Sequence, residues 1–436
     1  MVFLTKAGGP VKGLKSAKLP PAGSEFCYNY LMVGKQSPLP ERPLKVVHLL
    51  ASLPVGGAED LVAAIVRGLP AERFAPEVAC LEASGAVGAE LAAAGYPVHS
   101  LGLELKHAST WRLAASVRRL LKEIRPDILH THLYHPNLYG RLAALGLGLP
   151  GVVAAVHNSY ARVKFHRRLW NHLLGWASDR VLVGSAQVWE DVRRYDAVPA
   201  SRLLLLPYGI DLAELETDHS PEEARGLLSV SGFVLGAVGR LEEQKGQKNL
   251  LAAMAGVRRQ IPEATLILVG DGRQRQALER QARELGLADR VRFLGTRRDL
   301  ALIYRALDLY VQPSLWEGLP LALLKAMGAG LPVLASRVSG VMELIEDGVN
   351  GRLVAPAEPE ALGRVLVELY RRPKLRARLG AAARLTIREH YSLEAMLAGL
   401  ERLYLELWQR NCYQLSASSG QQKHQDQNIN SPKGTG

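Results

Sequence analysis

Short apolar runs recur along this chain, separated by longer stretches in which apolar positions return every three or four residues. The first run, LKVVHLLA at 44–51, reads as a strand buried on both faces. Further strand-like runs lie at 77–81, 98–101, 127–132, 152–157, 180–185 and 202–207. Helix-like stretches fill the gaps; in residues 111–124, Leu113, Val117, Leu120, Leu121 and Ile124 share one face. Over 212–228 the pattern gives way to Glu, Asp and His, which reads as a linker. It then restarts, with strands at 233–240, 265–269, 291–294, 308–311 and 332–335, and helices at 247–259, 274–285, 299–306 and 321–327. Helices at 360–370, 374–389 and 393–408 close the pattern. Alternation of this kind predicts parallel sheets joined by right-handed crossovers. The fold class is α/β, with two Rossmann-like domains of similar size, 43–211 and 229–390, facing each other. Residues 1–42 (Gly, Pro, Ser, Lys) and 413–436 (Ser, Gln, Asn, Gly) are expected to be disordered, and Met32 is a candidate true start.

Composition narrows the partners. The 436 residues carry a net charge of +12, which favours anionic ligands such as nucleotides, phospholipid headgroups or nucleic acid. Arginines are spread along the chain rather than blocked, and no aromatic–basic motif of a known nucleic-acid module occurs, so no nucleic-acid partner is expected. Cys27, Cys80 and Cys412 are too scattered for a metal pair and fit a reduced, cytoplasmic compartment. No run reaches the ~18–20 apolar residues of a membrane span, and the lysines near the start are not followed by the core of a secretion signal.

Candidate chemistry gathers at strand ends. In residues 311–336 (VQPSLWEGLPLALLKAMGAGLPVLAS), a strand, a loop with Glu317 and Gly318, and a helix follow in turn. Ligands of open α/β sheets bind at such carboxyl edges, and helix amides there favour phosphate. Arg240 and Lys245 follow another strand, where two cations ahead of a helix suit a phosphate better than the helix dipole. Gly56 and Gly57 let the backbone approach a ligand closely. His130, His132, His135 and His157 lie near strand ends of the first half. They read either as core hydrogen-bonders or as site residues; no Cys or carboxylate completes a zinc set, so no metal is expected. Residues 160–176 (YARVKFHRRLWNHLLGW) read either as a basic amphipathic helix on an anionic membrane or as a domain helix with an aromatic core face.

Taken in order, GGAED, DILHTH, GRLEEQKG, LILVGDG, VRFLG, SLWEGLPLALLKAMGAGLPVLAS and VMELIEDGVNGRLV resemble glycosyltransferase family 4 over about residues 44 to 410. The resemblance implies the GT-B fold, with a first, acceptor domain, a second, donor domain, and a final helix (391–412) crossing back to the first. It implies a retaining transfer of a sugar from a UDP- or GDP-sugar to a lipid- or glycan-linked acceptor, in cell-surface polysaccharide or glycolipid synthesis. The enzyme is expected to need no metal or cofactor, and to be cytoplasmic with peripheral contact at the inner membrane face. By position, Arg240 and Lys245 would hold the donor diphosphate, and Arg292 and Leu294 would border the base. Glu317 and His132 would stand at the sugar as catalytic residues. Gly318, Leu319, Leu321 and Glu343 would complete the donor site, and Gly56, Gly57 and His157 the floor toward the acceptor. One position departs: where the family carries a second Glu for the donor ribose, this chain has Lys325. An ammonium donates hydrogen bonds and accepts none. Lys325 therefore raises an alternative, a catalytically impaired GT-B scaffold or binding protein, or a Lys325–Glu317 pair in the empty site.

Overall fold

The computed structural model describes residues 40–106, 108–157 and 165–429, the side chains of 165–166 and 413–429 excepted. The stretch through residue 39, with Met32, and the beginning of the 160–176 segment lie outside the described residues.

Two parallel sheets form. The first holds β1 (Leu44–Leu50), β2 (Phe74–Cys80), β3 (Val98–Ser100), β4 (Ile128–His132), β5 (Gly151–Val156), β6 (Arg180–Val183) and β7 (Leu203–Leu205), in the order β3-β2-β1-β4-β5-β6-β7. The second holds β8 (Phe233–Val238), β9 (Ala264–Val269), β10 (Val291–Gly295), β11 (Leu309–Gln312), β12 (Val333–Ser336) and β13 (Arg352–Val354), in the order β10-β9-β8-β11-β12-β13. Each order reverses once, between β1 and β4 and between β8 and β11. Crossovers leave on opposite faces at a reversal, so a crevice opens there at the carboxyl ends of the strands. Both halves thus offer one binding edge.

Seven helices matter below: α1 (Gly57–Gly68), α2 (Gly85–Ala93), α3 (Phe165–Gly175), α4 (Ala186–Asp191), α5 (Gln247–Val257), α6 (Leu321–Gly328) and α7 (Leu393–Ile429). α7 carries Met396, Leu400, Leu403, Tyr404 and Leu407 on one stripe, each at most 3% exposed. That stripe lies on the first domain: Tyr404 meets Phe74 edge-on, Arg73 pairs with Glu401, and Arg180 pairs with Glu406. Burying such side chains contributes about 1.5–3 kcal/mol each, enough to tie the chain end back across the molecule as the GT-B resemblance implied. The α7 backbone is helical to Ile429, beyond the point at which composition suggested order ends.

Two differences from the pattern reading have local causes. The stretch read as linker contains a helix, Pro221–Leu228, started by a capping box between Ser220 and Glu223. Ala224 and Leu228 are buried, and Arg225 pairs with Asp308 at 2.9 Å, so this helix packs on the second domain. β13 was not expected, because three residues after Gly351 carry too little pattern to stand out from a turn.

Candidate functional site

At the reversal of the second sheet, β8 leads to Arg240 and Lys245, and β11 to the loop of Glu317. Gly246 brings the two loops into contact. Its φ is +64°, and a Cβ there would lie 2.1 Å from the carbonyl oxygen of Pro313, so a side chain is excluded. The close approach seats Lys245 Nζ 2.6 Å from Glu317 Oε1. The same oxygen accepts from Gln312 Nε2 at 2.8 Å and Ser314 Oγ at 2.7 Å. Glu317 is 4% exposed and Lys245 18%; the carboxylate is an internal anchor, and the lysine side chain is partly exposed. Gly340 packs on the same loop, where a Cβ would meet the Gly318 carbonyl. Leu319 is buried beneath it. Arg240 is exposed and close enough to Glu59, on α1 of the other domain, to draw that carboxyl's pKa down against the larger raising effect of burial.

Across the crevice, Gly56 and Gly57 open α1. A Cβ on Gly57 would lie 3.4 Å from Leu321 Cδ1, in the first turn of α6. The glycine pair of the first sheet and the Glu317 loop of the second therefore meet. Arg298 bridges the rim, donating to Asp60 on α1 at 2.7 Å and to Glu90 on α2. Burial raises the Asp60 carboxyl pKa, while Lys325 and Arg298 oppose the rise.

Four expected positions have partners of their own. Lys325 pairs with Glu214 at 3.3 Å rather than with Glu317; Lys245 already holds that carboxylate. Glu343 reaches the first domain, where its carboxylate accepts from the backbone N–H groups of Ala186 (2.8 Å) and Gln187 (2.9 Å) at the start of α4. A helix N-terminus is the natural seat for a carboxylate, so Glu343 ties the domains together. Arg292 sits near the start of β10, bonded to the Asp289 carbonyl at 3.2 Å, while Leu294 lies toward the strand's carboxyl end. His132 is 1% exposed, and both its ring nitrogens are engaged.

The partners of His132 form a buried row of rings. His132 Nε2 lies 3.1 Å from His48 Nδ1, and His132 Nδ1 lies 3.2 Å from His157 Nε2. His157 Nδ1 lies 2.8 Å from the Tyr208 hydroxyl, and His130 Nδ1 lies 2.7 Å from the Tyr404 hydroxyl. Burial pushes His48 down to about 3 and His157 to about 4, and holds His130 and His132 well below the usual histidine range, so all four rings are neutral near pH 7. His48 was missed in the sequence reading. Its signal was present: it is the one polar residue of an otherwise apolar run, 46–51, and the parallel register sets it opposite His130. Gln312 and Ser314 were missed too, although both flank Glu317 on its own strand and loop.

Comparison with known proteins agrees with this layout. Residues 55–214 match the family described as Glycosyltransferase Family 4, and residues 222–386 match Glycosyl transferases group 1. The chain is 28% identical to the Escherichia coli UDP-Gal:alpha-D-GlcNAc-diphosphoundecaprenol alpha-1,3-galactosyltransferase, over 71% of this chain and 84% of that one. It is 31% identical to a D-inositol 3-phosphate glycosyltransferase of Salinispora arenicola, over 64% of this chain and 68% of that one. Among solved structures, Anabaena Alr3699/HepE in complex with UDP and glucose superposes with a TM-score of 0.75 at 25% identity, covering 82% of this chain and 98% of that one.

Proposed function

Since this chain belongs to glycosyltransferase family 4 and has the GT-B fold, we propose that it moves a sugar, with retention, from a UDP- or GDP-sugar to a lipid- or glycan-linked acceptor. One observation carries the reading: Lys245, anchored by buried Glu317, and Arg240 stand at the reversal point of one sheet, and Gly57, at the reversal point of the other, lies against Leu321 just after the Glu317 loop. An ammonium has three donors. Glu317 takes one and fixes the direction of the others, so a diphosphate meets a pre-positioned cation. As the sugar–phosphate bond breaks, charge grows on the leaving phosphate, and Lys245 and Arg240 stabilise it without a metal. Arg298, Asp60 and Glu90 close the rim and help keep water from the sugar. His132 acts through its neighbours in the ring row rather than by a free nitrogen, and its strand end borders the sugar. Binding of UDP by the Anabaena protein supports the uridine donor, and the diphosphoundecaprenol acceptor of the Escherichia coli relative supports a lipid diphosphate acceptor.

The acceptor reading has support on the surface. Among the described residues no helix is long and apolar enough to cross a membrane. On α3 and just after it, Leu169, Leu173 and Trp176 are 49%, 52% and 57% exposed. They fall at i, i+4 and i+7, an outward apolar stripe, with Arg168 stacked on Tyr195 and Arg202 on Trp176 beside it. Such a face suits the headgroup layer of an anionic membrane. The alternative of an impaired scaffold rests on Lys325 alone, and its pairing with Glu214 supports activity, because the Lys245–Glu317 unit is left whole.

Calorimetric titration with UDP-glucose, UDP-galactose and GDP-mannose tests the donor site. The expected result is binding of at least one, lost in Arg240→Ala/Lys245→Ala. Unchanged titrations in that double variant, or no binding and no transfer with the native chain, would reject the reading.

A further inference from the structure

Three rings of the buried row form a cluster of their own. His48, His130 and His132 each place a ring nitrogen within 4.8 Å of the others, all in the core. His130 Nε2 is buried and has no hydrogen-bond partner among the described residues. A buried polar atom without a partner marks an ion or a water, because leaving it bare is costly. We propose that His48, His130 and His132 form a structural site for a zinc-class ion.

The geometry around the three rings fits such an ion. His130 Nδ1 is turned to the Tyr404 hydroxyl and His132 Nδ1 to His157, which continues to Tyr208. A metal-bound histidine characteristically donates its far N–H to such a partner, which leaves the near nitrogen's lone pair for the ion. With both protons on Nδ1, the Nε2 atoms of His130 and His132 are the ligands, and His48 Nδ1, 3.1 Å from His132 Nε2, is the third. His48 Nε2 then keeps its proton. Two nitrogens bound at about 2.0–2.1 Å to one tetrahedral ion stand about 3.3 Å apart, close to the 3.1 Å between His132 Nε2 and His48 Nδ1. Three neutral ligands leave the ion's charge uncompensated. A cavity of about 10 Å³ beside His130 and His132, lined otherwise mostly by apolar side chains, is at the lower limit for one water as a further ligand. The ion would join the ends of β1 and β4 and, through Tyr404, α7 to them.

The site stands or falls apart from the transferase reading, because its test reads metal and not turnover. Tag-free full-length protein from zinc-supplemented growth is assayed by elemental mass spectrometry, with the His48→Gln, His130→Gln and Tyr404→Phe variants and a His172→Gln control, all checked for fold by circular dichroism. The expected result is ~1 zinc per chain in the native protein and control, and background in the two ligand variants. Tyr404→Phe retains the ligands but loses a far-side partner, and binds zinc about 10–100-fold more weakly in competition with a chelator. Absence of zinc from the native chain, or equal zinc in folded His130→Gln, overturns the site, and an ordered water or a dry contact then occupies the cluster.

Discussion

Replacing Lys245 by alanine strands the Glu317 carboxylate in a site where it is only 4% exposed. Removing one partner of a buried pair costs about 3–5 kcal/mol. Gln312 and Ser314 go on donating to the same oxygen at 2.8 and 2.7 Å, which places the loss near the low end, about 3 kcal/mol. For a domain of this size that lowers Tm by roughly 6–12 °C. Glu317→Gln is expected to cost less, about 1–2 kcal/mol, because Lys245, 18% exposed, can turn toward water. The double variant Lys245→Ala/Glu317→Gln removes both charges and is expected to be about as stable as Glu317→Gln alone, a coupling of about 3 kcal/mol. Scanning calorimetry on the four proteins measures it, at low and high salt, since a buried pair is screened little. Losses that add within ~0.5 kcal/mol, or a coupling erased by salt, would refute the anchoring of Lys245 by Glu317.

Three further outcomes follow from the same geometry. Arg298→Ala removes the rim bridge to Asp60 and Glu90; exposed pairs contribute at most about 1 kcal/mol, so Tm should hardly move while small-angle scattering shows a wider crevice, and an unchanged radius of gyration counts against the bridge. Burial raises the Glu343 carboxyl pKa despite the α4 amides. The native state therefore holds that proton more tightly than the unfolded chain, so this group's contribution is fully present below its unfolded pKa and is lost as pH rises through the raised value. Glu343→Gln should flatten that fall in denaturant titrations from about pH 4.3 upward, and identical slopes would contradict it. Cys80 is buried, its thiol pushed up to about 12, whereas Cys412 is exposed; peptide mapping after alkylation at pH 8 should find Cys412 modified and Cys80 protected until the chain unfolds.

Where a functional unit lies within one strand–loop–helix crossing, the sequence declares it. The apolar run of β11, the Gly318 loop and the start of α6 are contiguous, and so are β8 and Arg240, so both loops that meet at the second sheet's reversal were legible. Their meeting was not, because it depends on Gly246 approaching Pro313, 67 positions away, through backbone packing. The same limit applies to two other expected positions. Lys325 and Glu343 lie in stretches of the expected kind, yet their partners, Glu214 and the α4 amides, come from elements whose placement is fixed only when the two domains fold against each other. A linker rich in charge hid a helix that its Ser220–Glu223 box could have revealed, since capping is local. The histidines show the limit most sharply. A period-two pattern reports that His130 and His132 share a face, but not that β1 lies beside β4 and turns His48 toward the same point, because strand order is a property of the crossovers between strands. Polar residues inside otherwise apolar strands of different halves of a sheet are therefore best read together once topology is known; alone, each looks like a tolerated exception to the core.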